Sequence, residues 1–315
     1  MRLVFMGTPE SAVPTLRRCV EDGHEVVAVW TQPDRPAGRG NKLKAPPVKE
    51  YALSRGLNVQ QPSKIKTEEA LALFTSEPFD AAVVVAYGRI LPPAFLRAPR
   101  LGCVNVHFSL LPKYRGAAPV NWALVRGEVL TGVTTMLMDE GLDTGDILLQ
   151  RSTAIDEGEP APQLLKRLAH AGAELLSETL ARFPLIEPRR QHNEDATPAP
   201  ILRREDGLID WTLDARDIER RVRGFQPWPN AYTSYNGRRL VVWRAEVSKS
   251  EDEGGAVRAQ GRPGEIIEAH GDALTVACGG PTALRLLEVQ LEGKQRVTAR
   301  DFINGTRAHT GEKLG

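Results

Sequence analysis

Cysteine is scarce in this chain, and what there is lies far apart. Cys19, Cys103 and Cys278 are the only 3 among 315 residues. An odd number at such spacings makes neither a disulfide framework nor a zinc site, which fits a reducing, cytoplasmic setting. Long apolar runs are missing too. None approaches the ~18 residues of a membrane-spanning helix, and the chain opens in a strand without a cleavable apolar leader. Charge of one sign does not dominate. A formal net charge of +1 excludes a nucleic-acid binder working through its bulk field, but leaves room for a local basic surface. No internal repeat is visible. Gly7 stands alone after the first strand where a dinucleotide site would need G-x-G-x-x-G, so a nicotinamide dehydrogenase is disfavoured.

What is present concentrates between residues 101 and 148. Cys103-Val104-Asn105-Val106-His107 alternates apolar and polar as a strand does. Asn105 and His107 are two apart and project from one face. Pro112 and Gly116 then break the pattern into a loop, and a helix is predicted from Ala117 with Pro119 in its first turn. Residues 131–138 read as a β-branched strand. It ends in an acidic loop, Asp139-Glu140-Gly141-Leu142-Asp143-Thr144-Gly145-Asp146.

One strand end thus offers an amide and an imidazole, and the next offers carboxylates. In an open α/β sheet, sites form outside the carboxyl ends of strands. These three groups suit acyl transfer. The amide and a protonated imidazole can donate to a developing oxyanion, while the carboxylate orients the imidazole and raises its basicity. No serine or cysteine here sits in a nucleophile elbow, so direct transfer to an incoming amine is favoured over a covalent enzyme intermediate. Singly the residues say little. A lone strand histidine is commonly a satisfied core or surface residue, and Asn105 alone could be a turn former. The combination is what points to a site.

Asn105-x-His107, Ser109-Leu110-Leu111-Pro112, Gly116-x-x-Pro119 and the distal Asp143-x-Gly145 together resemble the signature of the folate-dependent formyltransferases. That family takes its formyl group from 10-formyltetrahydrofolate. The resemblance implies catalytic roles for Asn105, His107 and Asp143, and a donor-binding loop at Ser109, Leu110, Leu111 and Pro112. It implies a pterin pocket along residues 87–92, with Tyr87, Gly88 and Ile90 contributing largely through backbone. Asp139 and Gly141 join the donor side, although Asp139, Glu140 and Asp146 also suit solvent-facing or capping roles. Asp143 is singled out by the family match, not by local physics. No metal is implied. Phe108 departs from the family, whose members usually carry a small residue there; it either narrows the pocket or points into the core.

Around this stretch the chain reads as α/β, with a Rossmann-like N-terminal domain built on a mostly parallel sheet. Residues 2–6 form a strand, Thr8 is predicted to cap a helix beginning at Pro9, and Gly23 ends it. Residues 26–31 form the next strand. Residues 81–86 are a continuous apolar run, as in a central strand buried on both faces. Residues 163–183 make an amphipathic core helix. The predicted domains are 1–183 (catalytic), a polar, proline-bearing linker at 184–203, and 204–315. In the last, short alternating strands with turn signals at Asn236-Gly237 and Gly279-Gly280 suggest a small OB-like β-barrel. The C-terminal tail is expected to fray.

Between them, residues 32–48 form a long basic loop with Arg35, Arg39, Lys42 and Lys44 against Asp34. Its prolines and glycines forbid regular structure over most of it. Alone it would be a solvated connection, yet long loops in compact domains are often functional. The run 32–40 is similar to the insertion loop of methionyl-tRNA formyltransferases, which enters the acceptor stem of initiator tRNA. Arg39 falls on its most important arginine. The C-terminal part is similar to that family's as well, including Asp210-Trp211 and Pro227-Trp228-Pro229. Arg220, Arg221, Arg223, Arg238, Arg239, Lys294 and Arg296 are candidates for a phosphate-holding face there.

The expectation is a cytoplasmic, monomeric enzyme. It would formylate the methionine of initiator methionyl-tRNA from 10-formyltetrahydrofolate, with no membrane partner. The central motif equally suits a small amine acceptor (an amino-sugar nucleotide or glycinamide ribonucleotide) or water. An RNA-binding module with a retired transferase domain is the reading from another class. The basic loop and the second domain separate the first from the rest.

Overall fold

Strand β1 (Arg2–Gly7), helix α1 (Val13–Glu21) and strand β2 (Glu25–Trp30) open the chain as the expected βαβ unit. Two three-residue strands, β3 (Arg35–Ala37) and β4 (Lys42–Lys44), pair antiparallel as a separate ribbon. Then come α2 (Pro47–Ser54), β5 (Val59–Gln60), α3 (Glu68–Phe74), β6 (Ala81–Val85), α4 (Pro93–Arg97) and β7 (Cys103–His107). Helix α5 (Pro119–Val125), β8 (Leu130–Leu137), β9 (Ile147–Ala154) and α6 (Ala161–Arg182) follow. This computed structural model describes residues 1–37, 42–248 and 261–315, with Ala37 and Lys42 as backbone only. Arg39 and the polar stretch at 250–255 therefore lie outside the described residues.

The first sheet runs β5-β2-β1-β6-β7-β8-β9. It is parallel from β5 to β7, and β8 is antiparallel to both of its neighbours. Strand order reverses between β1 and β6, which makes their carboxyl ends the topological switch point. β6 is buried at every position, as its unbroken apolar sequence requires. On one side of the sheet Trp30, Phe74 and Phe95 pack edge-to-face and stacked, with centroids 4.4–5.9 Å apart.

The chain forms two compact units. Residues 1–119, 130–154 and 164–200 make the first; residues 120–129, 155–163 and 201–315 make the second. The second unit carries α7 (Ala215–Gly224), β10 (Ala231–Tyr235), β11 (Arg238–Val247), β12 (Ile266–His270), β13 (Ala273–Ala277), β14 (Ala283–Leu291), β15 (Val297–Thr298) and α8 (Ala299–Thr306). Its sheet is antiparallel, in the order β10-β11-β14-β13-β12 with β15 on β14. Asp214 caps α7, accepting from the Arg216 amide. Trp211 is buried in this core, donating from Nε1 to Thr233 Oγ1 at 3.2 Å. Several of the candidate phosphate-holding arginines are engaged within the unit: Arg220 with Asp217, Arg223 with Glu219, Arg296 with Glu288.

Four local expectations need correction. Thr8 caps no helix. Its hydroxyl donates to the Tyr87 carbonyl at 3.0 Å, joining the ends of β1 and β6, and a short 3-10 turn at Glu10–Ala12 precedes α1. The proline-rich basic loop is partly regular, because a two-stranded ribbon consists only of edges, where Pro36 is tolerated. Helix α5 begins at Pro119, two residues past Ala117. The C-terminal tail is docked: Leu314 is buried, its amide donates to the Gly264 carbonyl at 2.8 Å, and the Gly315 amide donates to Ser234 at 3.0 Å.

Candidate active site

β7 ends the parallel part of the sheet, and its last turn of alternation sets the site. Asn105 and His107 lie opposite Met136 and Thr134 of β8. Both are buried polar groups, 8% and 6% exposed. The residues between and after them face the other way. A Cβ on Gly172 of α6 would meet Val106 at 2.8 Å and Phe108 at 3.4 Å, so Phe108 packs under that helix and leaves the pocket alone. The pocket-narrowing alternative for Phe108 is thereby set aside.

His107 is fixed at one nitrogen and open at the other. Nε2 lies 2.9 Å from the Tyr114 carbonyl, which can only accept, so the proton resides on Nε2. Nδ1 points to Asp143, with Oδ2 at 3.7 Å. The neutral ring therefore presents an Nδ1 lone pair, and the protonated ring presents an Nδ1 proton beside a carboxylate. The Asn105 carboxamide is hydrogen-bonded to no group among the described residues. A buried amide with both N–H groups uncommitted is uncommon in a packed interior and suits donation to a ligand.

Asp143 is held from two directions. Oδ2 accepts the Gly116 amide at 2.8 Å. Its own carbonyl, and that of Gly145, accept from Gln191 Nε2 at 2.9 and 2.7 Å. Asp143 has a left-handed backbone, φ 53°, a conformation that aspartate tolerates better than most residues. Gly116 is also left-handed, at φ 127°, and a Cβ there would stand 2.5 Å from the Ala199 carbonyl oxygen. Only glycine lets residue 116 bring its amide to the carboxylate.

The other expected donor-side residues are mostly spent on shaping loops. Ser109 is fully buried, and its hydroxyl donates to the Lys113 carbonyl at 2.7 Å. The Ser109 carbonyl accepts from Thr134 Oγ1 at 2.7 Å. Leu111 packs with Met136 and Ile147, while Gln150 donates to the Leu111 carbonyl at 2.8 Å. Leu110 lies against Gly132, and Pro112 is half-buried. Asp139 Oδ1 accepts from the Gly141 amide at 3.0 Å and from Thr144 Oγ1 at 2.6 Å, closing the acidic loop on itself.

Residues 86–92 form a ridge between two cavities. One, about 440 Å³, opens at the switch point among Thr8, Gln32, Tyr87, Gly88, Arg35 and Lys44. The other, about 460 Å³, is lined by Ile90, Leu91, Phe95 and Glu140 among others. The expected pocket residues are thus divided: Tyr87 and Gly88 face the first, Ile90 the second. Tyr87 is 2% exposed, burial pushes its phenol up to about 12, and its hydroxyl has no partner among the described residues. Gln32 braces this ridge, donating to the Tyr87 carbonyl at 3.1 Å and accepting from Arg89 at 3.2 Å.

Of the basic residues, Arg35 and Lys44 stand opposite one another in the ribbon and are exposed. Like charges directly opposed across a strand pair repel. The nearby Asp34 is taken: both its oxygens lie 2.8 Å from Lys49 Nζ, and Gln61 donates to Oδ1 at 2.8 Å. Lys49 first, then Gln61, hold the Asp34 carboxyl below the usual range.

Sequence reasoning missed the parts that act through backbone. Tyr114, Arg115 and Gly116 supply a carbonyl and an amide to the two catalytic candidates. The stretch read as a linker supplies Gln191 and, through Thr197 and Ala199, the backbone partners of Arg115 at 2.9 and 2.7 Å. The one legible signal was Gly116.

Comparison with known proteins adds the following. The formyl transferase family profile matches residues 1–180, and the formyl transferase C-terminal domain profile matches residues 201–307. A methionyl-tRNA formyltransferase of Geobacter metallireducens is 47% identical over 317 aligned positions, covering 100% of this chain and 99% of the relative. One from Caldanaerobacter subterraneus is 49% identical, with 100% of both chains covered. Among solved structures, HypX from Aquifex aeolicus in complex with tetrahydrofolic acid aligns with a TM-score of 0.65 at 17% identity. That alignment covers 99% of this chain and 48% of the HypX chain, and it bears on the fold alone.

Proposed function

This chain belongs to the formyl transferase family, and we propose that it moves a formyl group from 10-formyltetrahydrofolate to the α-amino group of initiator methionyl-tRNA. The observation that carries the chemistry is the pairing of an uncommitted Asn105 carboxamide with an imidazole anchored at Nε2 and facing Asp143 through Nδ1. The acceptor is read from likeness along the whole chain to enzymes of that name.

The esterified methionine supplies a neutral amine, since an aminoacyl ester amine is less basic than a free one. A new N–C bond forms between that amine and the formyl carbon, and the carbonyl oxygen gathers negative charge. Asn105 donates to this oxygen. His107 donates too when Nδ1 carries a proton, because Nε2 is already committed. Asp143 steadies the imidazolium and takes the proton that the attacking nitrogen must lose. Collapse breaks the bond from the formyl carbon to folate N10, which gains one proton. The products are formyl-methionyl-tRNA and tetrahydrofolate, and the enzyme is unchanged.

For the donor, the second cavity fits a folate. Its volume falls in the range of small-molecule clefts, and Ile90, Leu91 and Phe95 offer apolar walls beside the Glu140 carboxylate. The acceptor side is the switch-point cavity, where Arg35 and Lys44 meet phosphates; Arg39 and Lys42 are assigned to tRNA by the likeness of the loop sequence alone. No helix among the described residues is long and apolar enough to cross a membrane, and the three cysteines are free and buried. We read the protein as a cytoplasmic monomer.

One assay decides the acceptor. Purified protein is given 10-formyltetrahydrofolate and, separately, charged initiator tRNA, an amino-sugar nucleotide, glycinamide ribonucleotide, or water alone. Transfer to the charged tRNA is expected. Transfer only to a small amine, or hydrolysis alone, would overturn the reading.

A further inference from the structure

We propose that Gln191 is a positioning residue for the transfer step, a cross-brace that keeps the Asp143 carboxylate against His107. This rests on the formyl-transfer reading above. Gln191 lies in the polar stretch before the second unit, where nothing in the local pattern calls for a buried amide. Yet it is 7% exposed.

Its hydrogen-bonding capacity is directed at the site. Both N–H groups of Nε2 are used, on the carbonyls of Asp143 at 2.9 Å and Gly145 at 2.7 Å. These carbonyls flank Thr144, so the amide clamps the turn that carries the carboxylate. Oε1 accepts from Arg115 Nε at 3.0 Å. Arg115 sits between Tyr114, whose carbonyl holds His107 Nε2, and Gly116, whose amide holds Asp143 Oδ2. One carboxamide therefore ties the loop that anchors the imidazole to the loop that bears the carboxylate.

The geometry explains why such a brace is needed. Asp143 occupies the left-handed region at φ 53°. Fixing its carbonyl oxygen fixes the plane of the following peptide, and with it the direction of the Asp143 side chain. Released, the residue is free to relax to a commoner conformation, and the carboxylate swings away from Nδ1. Misplacement of a reacting group by about 1 Å can cost on the order of 100-fold in rate.

The test is Gln191→Glu in the full chain. The substitution preserves length and the acceptor for Arg115, but replaces both donors with an oxygen facing two carbonyls. We expect kcat to fall about tenfold or more, with KM for 10-formyltetrahydrofolate and for charged tRNA unchanged within about twofold. The same change made in an Asp143→Asn background should cost less than about twofold, because the brace then has no carboxylate to aim. Asn193→Ala removes the Arg115 Nη1 partner at 3.0 Å, and should lower kcat in the same direction by less, without a fold defect.

Equal losses in both backgrounds, a change confined to KM, or a lower melting temperature with kcat intact would each overturn the proposal. Wild-type protein inactive on every acceptor would instead remove the formyl-transfer reading on which it rests.

Discussion

The strand-end site and the basic ribbon of the first unit are built on opposite plans. At the site almost every polar atom has its partner before any ligand arrives. His107, Ser109, Thr134, Gln150 and Gln191 are tied to loop backbone at 2.7–2.9 Å, and His107 Nδ1 faces Asp143 Oδ2 at 3.7 Å. In the ribbon, three-residue strands bring Arg35 against Lys44, and the neighbouring Asp34 carboxylate is already bound to Lys49. The first region bears its cost in the folded protein, so that charge developing in a transition state meets fixed dipoles. The second leaves cations mutually repelling, a state relieved when they neutralise the phosphates of a polyanion, whose condensed counterions are released to solution. On the proposed reading, chemistry falls where polar groups are already paired, and recognition where like charges face one another.

The largest effect expected from this contrast is at the site. Asn105→Ala and His107→Ala should each reduce kcat about 100- to 1000-fold, as the loss of one oxyanion donor commonly does. Melting temperature should change little for Asn105→Ala, whose amide has no partner among the described residues to lose. Steady-state kinetics beside a thermal melt checks both. Near-normal turnover in either variant would strip that residue of its role and leave the rigid region without a chemical purpose.

Much of this was readable in advance, and what was not has a common cause. Period-two alternation put Asn105 and His107 on one face, and an unbroken apolar run marked β6 as central. Asp143 came from family likeness alone, because four carboxylates in one loop look alike until backbone conformation sorts them. Asp139 turned inward on Gly141 and Thr144, while Asp143 adopted φ 53° and met Gly116. Tyr114 was invisible because it acts through its backbone carbonyl, which every residue type has, and Gln191 because its side chain is spent on backbone carbonyls some 46 to 48 positions away, which no local pattern marks. Thr8 was misread for a related reason. A threonine before a proline does look like a cap, but its hydroxyl found a better acceptor across the sheet, 79 positions away at Tyr87.

The intermediate effect belongs to the ribbon. Arg35→Ala and Lys44→Ala should raise KM for charged tRNA several-fold while kcat and the folate KM hold. Each should reduce the slope of log affinity against log salt by about one. Binding measured from low to physiological salt reads this directly. If kcat falls instead and the salt slope stays, the ribbon shares in positioning the reaction, and the division between the two regions fails.

The smallest effect concerns the hinge between the two plans, the Asp34 carboxylate at the foot of the ribbon. Lys49 and Gln61 hold its protonation below the ordinary aspartate value of 3.8. A depressed folded value means the ionised form is favoured by folding. The stabilisation is therefore fully present above the unfolded value and is lost as pH falls through the folded one. At neutral pH Asp34→Asn should melt slightly below wild type, by a small margin because the pair is solvent-accessible. Below pH ~3.8 the margin should close, since the wild-type carboxyl then takes up a proton as well. Melting curves of both proteins from neutral pH to below that value test this. A margin unchanged with pH would mean that shape, not charge, secures the ribbon's base. The ribbon would then be as preorganised at its root as the strand-end site, and only its paired cations would be left to distinguish the two.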